Sequence, residues 1–153
     1  MKKMKSAALI GLGAMGAYFA PRLYEEYGEN FRVIAGGERK KRLMEQGVSI
    51  NGVNYHFPVA DPEQAGEPAD LVIIAVKGYG LDQAVKDIRD FVGEKTVILS
   101  VLNGVDSEKK VIDAYGEAPV SYTHLDVYKR QVPLLCKSSR MPWLKALCLN
   151  IQA

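Results

Sequence analysis

Two spacings of apolar residues take turns along this chain, one of strand length and one of helical period, and their alternation already suggests an architecture. Residues 6–10 form a short apolar run, and residues 17–27 place Phe19, Leu23 and Tyr27 on one helical face. Residues 31–35 read as a second strand. Residues 38–46 read as a short charged helix stopped by Gly47. In the VSINGVNYHF segment apolar residues alternate on either side of Asn51-Gly52, the pattern of a β-hairpin closed by a type I′ turn. A loop with Pro, Glu and Gly at 61–68 leads to DLVIIAVKG, whose unbroken apolar run suits a strand buried on both faces of a parallel sheet. Residues 81–91 return to helical spacing with Ala84, Val85, Ile88 and Phe91. Residues 96–102 form another buried strand ended by Asn103-Gly104, and 107–115 a last helix with Ser107 as its expected N-cap.

Strands that alternate with helices in this way predict a parallel sheet covered by helices on both faces. One residue conflicts with the first helix: Pro21 removes a backbone hydrogen bond and costs roughly 3 kcal/mol unless the helix bends there. A bend is therefore expected. Beyond Pro119 the alternation stops, and the last 34 residues show neither a buried strand run nor a clean helical face.

Between the first strand and the first helix stands GLGAMG, with Gly11, Gly13 and Gly16 in the spacing that carries a chain from strand to helix over a pyrophosphate. The first glycine permits the tight turn, the second lets backbone approach phosphate, and the third lets helix and strand pack closely. Backbone N–H groups at the helix start then face the anion. Gly11, Leu12, Gly13, Ala14, Met15 and Gly16 are accordingly the first candidate cofactor residues.

In an open α/β sheet ligands bind beyond the carboxyl ends of the strands, so the residues just after each strand come next. After the second strand stand Gly36, Gly37, Glu38, Arg39 and Lys40. An acid about 20 residues past the glycine turn reads the ribose of NAD, whereas a cation there reads the 2′-phosphate of NADP. Arg39 and Lys40 favour NADP, with NAD as the alternative, while Lys41 and Arg42 read as a solvated helix face. Lys77 directly follows LVIIAV, and Asn103 follows SVL. By position alone, each is also an ordinary loop residue.

Composition narrows the picture. With 153 residues, 48% apolar and 25% charged, the chain has room for one ordinary globular domain and no run of membrane-span length. Residues 1–119 carry 15 Lys and Arg against 17 Asp and Glu, and residues 120–153 carry 5 against 1. The body therefore offers no nucleic-acid surface. Cys136 and Cys148 both lie in the last segment, and His56 and His124 are too few for a histidine metal cluster, so no metal site is expected. His56 falls on the polar side of the hairpin and reads as exposed. Lys2, Lys3 and Lys5 before an apolar stretch imitate a secretory signal, but the glycine register and the α/β pattern both begin inside it. A cytoplasmic protein is expected.

Together GLGAMG, VIIAVKGYGLDQAV and VILSVLNGV resemble the ketopantoate reductase (2-dehydropantoate 2-reductase) family over residues 6 to about 118. The resemblance implies a Rossmann-type, doubly wound, mostly parallel sheet with a small β-hairpin insertion, and reduction of 2-dehydropantoate by a nicotinamide cofactor on the route to pantothenate and coenzyme A. It further implies that residues 11–16 cradle the pyrophosphate, Lys77 holds the cofactor, and Asn103 sits beside nicotinamide and keto acid. The chain departs from the family at Gly36, where an arginine for the 2′-phosphate is common, leaving Arg39 or Lys40 to substitute. The family's second, helical domain, which supplies the lysine general acid, is missing from the sequence, so weak dinucleotide binding without turnover is expected. The expected organisation is a dinucleotide-binding domain at 1–119 and a non-native or disordered tail at 120–153. The string VSYTHLDVYKRQ resembles an adapter-like read-through, and a genuine helical extension is the alternative. GLGAMG also resembles 6-phosphogluconate and 3-hydroxyisobutyrate dehydrogenases, although their strand endings differ. A non-catalytic NAD(P)-sensing module is the remaining alternative.

Overall fold

The computed structural model describes residues 4–64, 66–102, 105–116 and 120–122. Its chain runs β1 (Ala7–Ile10), α1 (Ala14–Tyr27), β2 (Phe31–Ile34), α2 (Gly37–Gln46), β3 (Val48–Ile50), β4 (Val53–Tyr55), β5 (Val59–Ala60), β6 (Leu71–Ile74), α3 (Leu81–Asp87), β7 (Val97–Ser100), α4 (Val105–Tyr115) and β8 (Val120–Tyr122). Six strands form one sheet in the order β5-β2-β1-β6-β7-β8, and every pairing in it is parallel. β1 therefore lies between β2 and β6, and chain progression reverses direction across it.

Burial on both sides of the sheet explains the unbroken apolar runs. Ala7 and Leu9 of β1 face Phe19, Leu23 and Phe31, while Ala8 and Ile10 face Leu81, Ile88 and Phe91 on the other side. Leu9, Phe19, Leu23, Ile88 and Phe91 are fully buried, and each such side chain contributes about 1.5–3 kcal/mol of transfer free energy. α1 continues through Pro21 to Tyr27.

The hairpin forms a sheet of its own, with Ile50 opposite Val53. Asn51 at φ 51° and Gly52 at φ 80° both occupy the left-handed region, as a type I′ turn requires. His56 is exposed beside it, 3.3 Å from the Asn54 amide.

Four differences from the sequence expectation have local causes. α3 ends at Asp87, and a 3-10 turn over Arg89–Phe91 replaces its last helical turn. That tightening carries the Phe91 ring into the core and lets its carbonyl accept the Ala69 N–H at 2.9 Å. α4 begins at Val105, so Ser107 is a buried residue of the first turn rather than the N-cap. β5 went unanticipated because two residues between Pro58 and Asp61 carry no periodicity. Finally, β8 adds a parallel edge strand at Val120–Tyr122, past the expected domain boundary at residue 119. The remainder of the expected tail, from residue 123, lies outside the described residues.

Two side chains fasten the layers. The Tyr115 hydroxyl donates to the Val85 carbonyl, tying α4 to α3. Buried Thr96 donates its hydroxyl to the Ala69 carbonyl at 2.7 Å and accepts the Gly93 N–H at 2.8 Å, closing the loop into β7. Thr96→Val keeps the shape and removes both bonds. It is expected to lower unfolding free energy by about 1–3 kcal/mol in chemical denaturation, with an unchanged stability counting against this account.

Candidate functional site

The turn after β1 closes on the start of α1 and on the end of β6 at once. Gly11 adopts φ +96°, and a Cβ there would fall 2.5 Å from the Ala75 carbonyl oxygen. A Cβ on Gly16 would fall 1.8 Å from the Gly11 carbonyl oxygen. Only glycine at these positions lets strand, turn and helix come this close. At Gly13 the opposite holds: nothing lies within 4 Å of its Cβ position, and the residue is exposed. Gly13 also starts α1, with no side-chain cap and no acid in the first turn. The free N–H groups of that turn and the positive end of the helix dipole remain available to an anion.

A cavity of about 690 Å³ opens where the sheet reverses direction. Its floor is Ile10 to Gly13 with Ala75 and Val76, one wall is formed by Gly36, Gly37, Arg39, Pro62 and Glu63, and the other by Lys77, Tyr79, Gln83 and Asp87. β1 and β6 bring the floor together, since the Ala75 N–H donates to the Ile10 carbonyl at 2.9 Å. Lys77 is exposed and precedes a 3-10 turn that the Gly80 N–H closes on the Lys77 carbonyl at 2.8 Å.

Of the residues singled out in the sequence, Gly11, Leu12, Gly13, Gly36, Arg39 and Lys77 line this one cavity. Ala14, Met15 and Gly16 form the first turn of α1 behind it, with Met15 packed against the core. Lys40 is absent from the lining. Its ammonium binds the Asp61 carboxylate at 3.1 Å instead, with the two side chains 24% and 16% exposed. Asn103 lies outside the described residues.

Asp61 is itself strongly held. It accepts the Glu63 N–H at 3.0 Å and the Lys40 ammonium, and these two contacts, the backbone one foremost, lower its pKa against the opposing effect of desolvation. The carboxylate is therefore ionised at neutral pH.

Sequence reasoning passed over Pro62, Glu63, Tyr79, Gln83 and Asp87. Gln83 and Asp87 stand four apart on α3 and hydrogen-bond at 2.8 Å, a spacing visible in the sequence. Tyr79, between two glycines and 89% exposed, was visible as an aromatic after the lysine. Pro62 and Glu63 carried no signal beyond their place in a loop.

The site can receive a dinucleotide: it pairs an open backbone approach at Gly13 with cationic side chains at Arg39 and Lys77, in a cavity of ligand size. A parallel sheet that reverses beside a glycine turn is the Rossmann arrangement, which defines a class of nucleotide-binding α/β domains. Within that class the ketopantoate reductase PanE/ApbA family model matches residues 7–125, and the chain belongs to that family. It is 31% identical over 121 residues to the 2-dehydropantoate 2-reductase of Aquifex aeolicus, a match that takes in 73% of this chain and 36% of that one.

Two solved structures extend the comparison. The ternary structure of D-mandelate dehydrogenase with NADH and anilino(oxo)acetate superposes with a TM-score of 0.65 at 25% identity, over 75% of this chain and 39% of that one. The 2-dehydropantoate 2-reductase of Geobacter metallireducens gives a TM-score of 0.59 at 28% identity over the same shares. The chain thus spans little more than a third of the length of these relatives. Among the described residues no helix is long and apolar enough to cross a membrane.

The glycines separate packing from binding. Gly16→Ala is expected to lower unfolding free energy by about 2–3 kcal/mol, because backbone has to move to admit the methyl group. Gly13→Ala is expected to cost no more than about 1 kcal/mol, the loss of a favourable N-cap residue. Denaturant midpoints of the two variants check this, and equal losses would contradict it.

Proposed function

We propose that the protein is the cofactor-binding part of a cytoplasmic NADPH-dependent 2-dehydropantoate 2-reductase, which converts the ketone of 2-dehydropantoate to the alcohol of pantoate in pantothenate and coenzyme A biosynthesis. The observation that carries this reading is the convergence of the glycine turn, Arg39 and Lys77 on one cavity at the sheet reversal. Membership of the family and the curated reductases that the chain matches supply the substrate. The six-stranded sheet with its helices, which runs past residue 119 to β8, is then the dinucleotide-binding unit.

Each group has a definite task under this reading. Backbone N–H groups at the start of α1 bind the pyrophosphate, and Gly13 leaves room for it. Lys77 adds a positive charge from the β6 side, while Arg39 meets the ribose end beside Gly36. Asn103, the residue after buried Leu102, is assigned to nicotinamide and keto acid through the family resemblance. When bound, the cofactor supplies the hydride.

Reduction of a ketone also needs a proton donor at the developing alkoxide and a cleft closed to water. Both fall to parts of the family's proteins other than those matched by residues 7–125, and the matched residues take the task of binding cofactor. NADH is the second cofactor to consider, because the mandelate dehydrogenase neighbour holds it and Glu63 stands in the same wall as Arg39.

Calorimetric titration of the chain with NADPH tests the reading. Saturable binding is expected, with Lys77→Ala weakening it about tenfold through loss of a charge-assisted contact and leaving the melting temperature in place. Absence of binding, or full affinity without Lys77, would reject the assignment. Steady ketopantoate reduction by this chain alone would reject the division of labour.

A further inference from the structure

The turn after β5 comes into van der Waals range of Gly36, the position where the family resemblance leads one to expect a phosphate-binding side chain. A Cβ on Gly36 would lie 3.4 Å from the Pro62 ring and 3.6 Å from the Asp61 carboxylate. β5 brings this turn there, because the Ala35 N–H donates to the Ala60 carbonyl at 3.0 Å alongside β2. Asp61 then fixes it twice, accepting the Glu63 N–H at 3.0 Å and meeting Lys40 at 3.1 Å, while the Gln64 N–H closes on the Asp61 carbonyl at 3.1 Å.

The consequence falls on charge. Four cationic residues follow β2 in the sequence, Arg39 to Arg42, and only Arg39 lines the cavity. Lys40 is consumed by Asp61, and Lys41 and Arg42 line a second recess on α2 with Glu38, Arg39, Glu45 and Gln46, so that of the four only Arg39 borders both. Glu63, which the Asp61-capped turn carries into place, stands in the same wall as Arg39. A ribose hydroxyl suits Glu63 as acceptor, whereas a 2′-phosphate is repelled by it.

We propose that Asp61 is a positioning residue for cofactor choice: by holding Lys40 out of the cavity and presenting Glu63 beside Arg39, it keeps discrimination between NADPH and NADH small. The proposal rests on the dinucleotide reading of the cavity. Arg39 alone reads the 2′-phosphate, and Lys40 is a latent second cation.

Binding constants for NADPH and NADH, measured in parallel by calorimetry on the full chain, test this. Asp61→Asn keeps an oxygen for the Glu63 N–H but turns an amide, not an anion, toward Lys40. It is expected to tighten NADPH about tenfold with NADH unchanged, the effect of one added charge-assisted contact. Lys40→Met in the wild-type background is expected to leave both constants within about twofold, whereas Lys40→Met combined with Asp61→Asn should abolish most of the NADPH gain. Arg39→Ala should weaken NADPH alone.

Equal shifts for both cofactors in Asp61→Asn would overturn the proposal by showing a purely structural role. So would a loss of NADPH affinity in Lys40→Met as large as that in Arg39→Ala. A wild-type chain that binds neither cofactor would instead overturn the dinucleotide reading and this proposal with it, an outcome distinct from the other two.

Discussion

The structure depends on a contact that admits no side chain. Where β1 gives way to α1, the Gly11 and Gly16 backbones and the Ala75 carbonyl approach so closely that one methyl group at either glycine would overlap a carbonyl oxygen. That contact fixes three things at once: the angle at which α1 leaves the sheet, the spacing of β1 from β6, and the exposure of Gly13 at the tip. Packing and binding are therefore coupled locally. The same turn that closes the core leaves the N–H groups of the first helical turn unused by protein.

Around it the sheet does the positioning. Because all pairings are parallel, the carboxyl ends of β1, β2, β5 and β6 lie along one edge, and residues distant in sequence meet there without long loops. Arg39, Glu63 and Lys77 come from three such strand ends and share one cavity. Each is exposed, while the strands they follow pack into the core, β2 and β6 with buried residues and β5 with partly buried ones.

Much of this was legible in the amino-acid order, and the limits are instructive. β1 and β6 announce themselves because strands buried on both faces have no polar positions, β7 because only its last residue, Ser100, is polar, and the hairpin because Asn51-Gly52 accepts two positive φ angles. GLGAMG located the floor of the cavity and LVIIAVK one of its walls. What stayed hidden is tertiary. Arg39 and Lys40 are neighbours with the same charge, and nothing adjacent tells which of them faces the cavity. The answer lies at Asp61, 21 residues onward, in a segment that read only as loop. Ser107 failed as a cap for a similar reason, since the helix start is set by how α4 packs and not by the nearest hydroxyl.

The shortness of β5 has a further effect. A strand at the margin of a sheet offers unpaired amides and carbonyls on which another chain can grow, the route to aggregation. Here that margin is only Val59–Ala60, bracketed by Pro58 and Pro62, which have no amide hydrogen to give. A second molecule finds almost no ladder to extend there, so the flank that shapes the ribose end of the cavity also blunts this margin of the sheet against edge-to-edge growth.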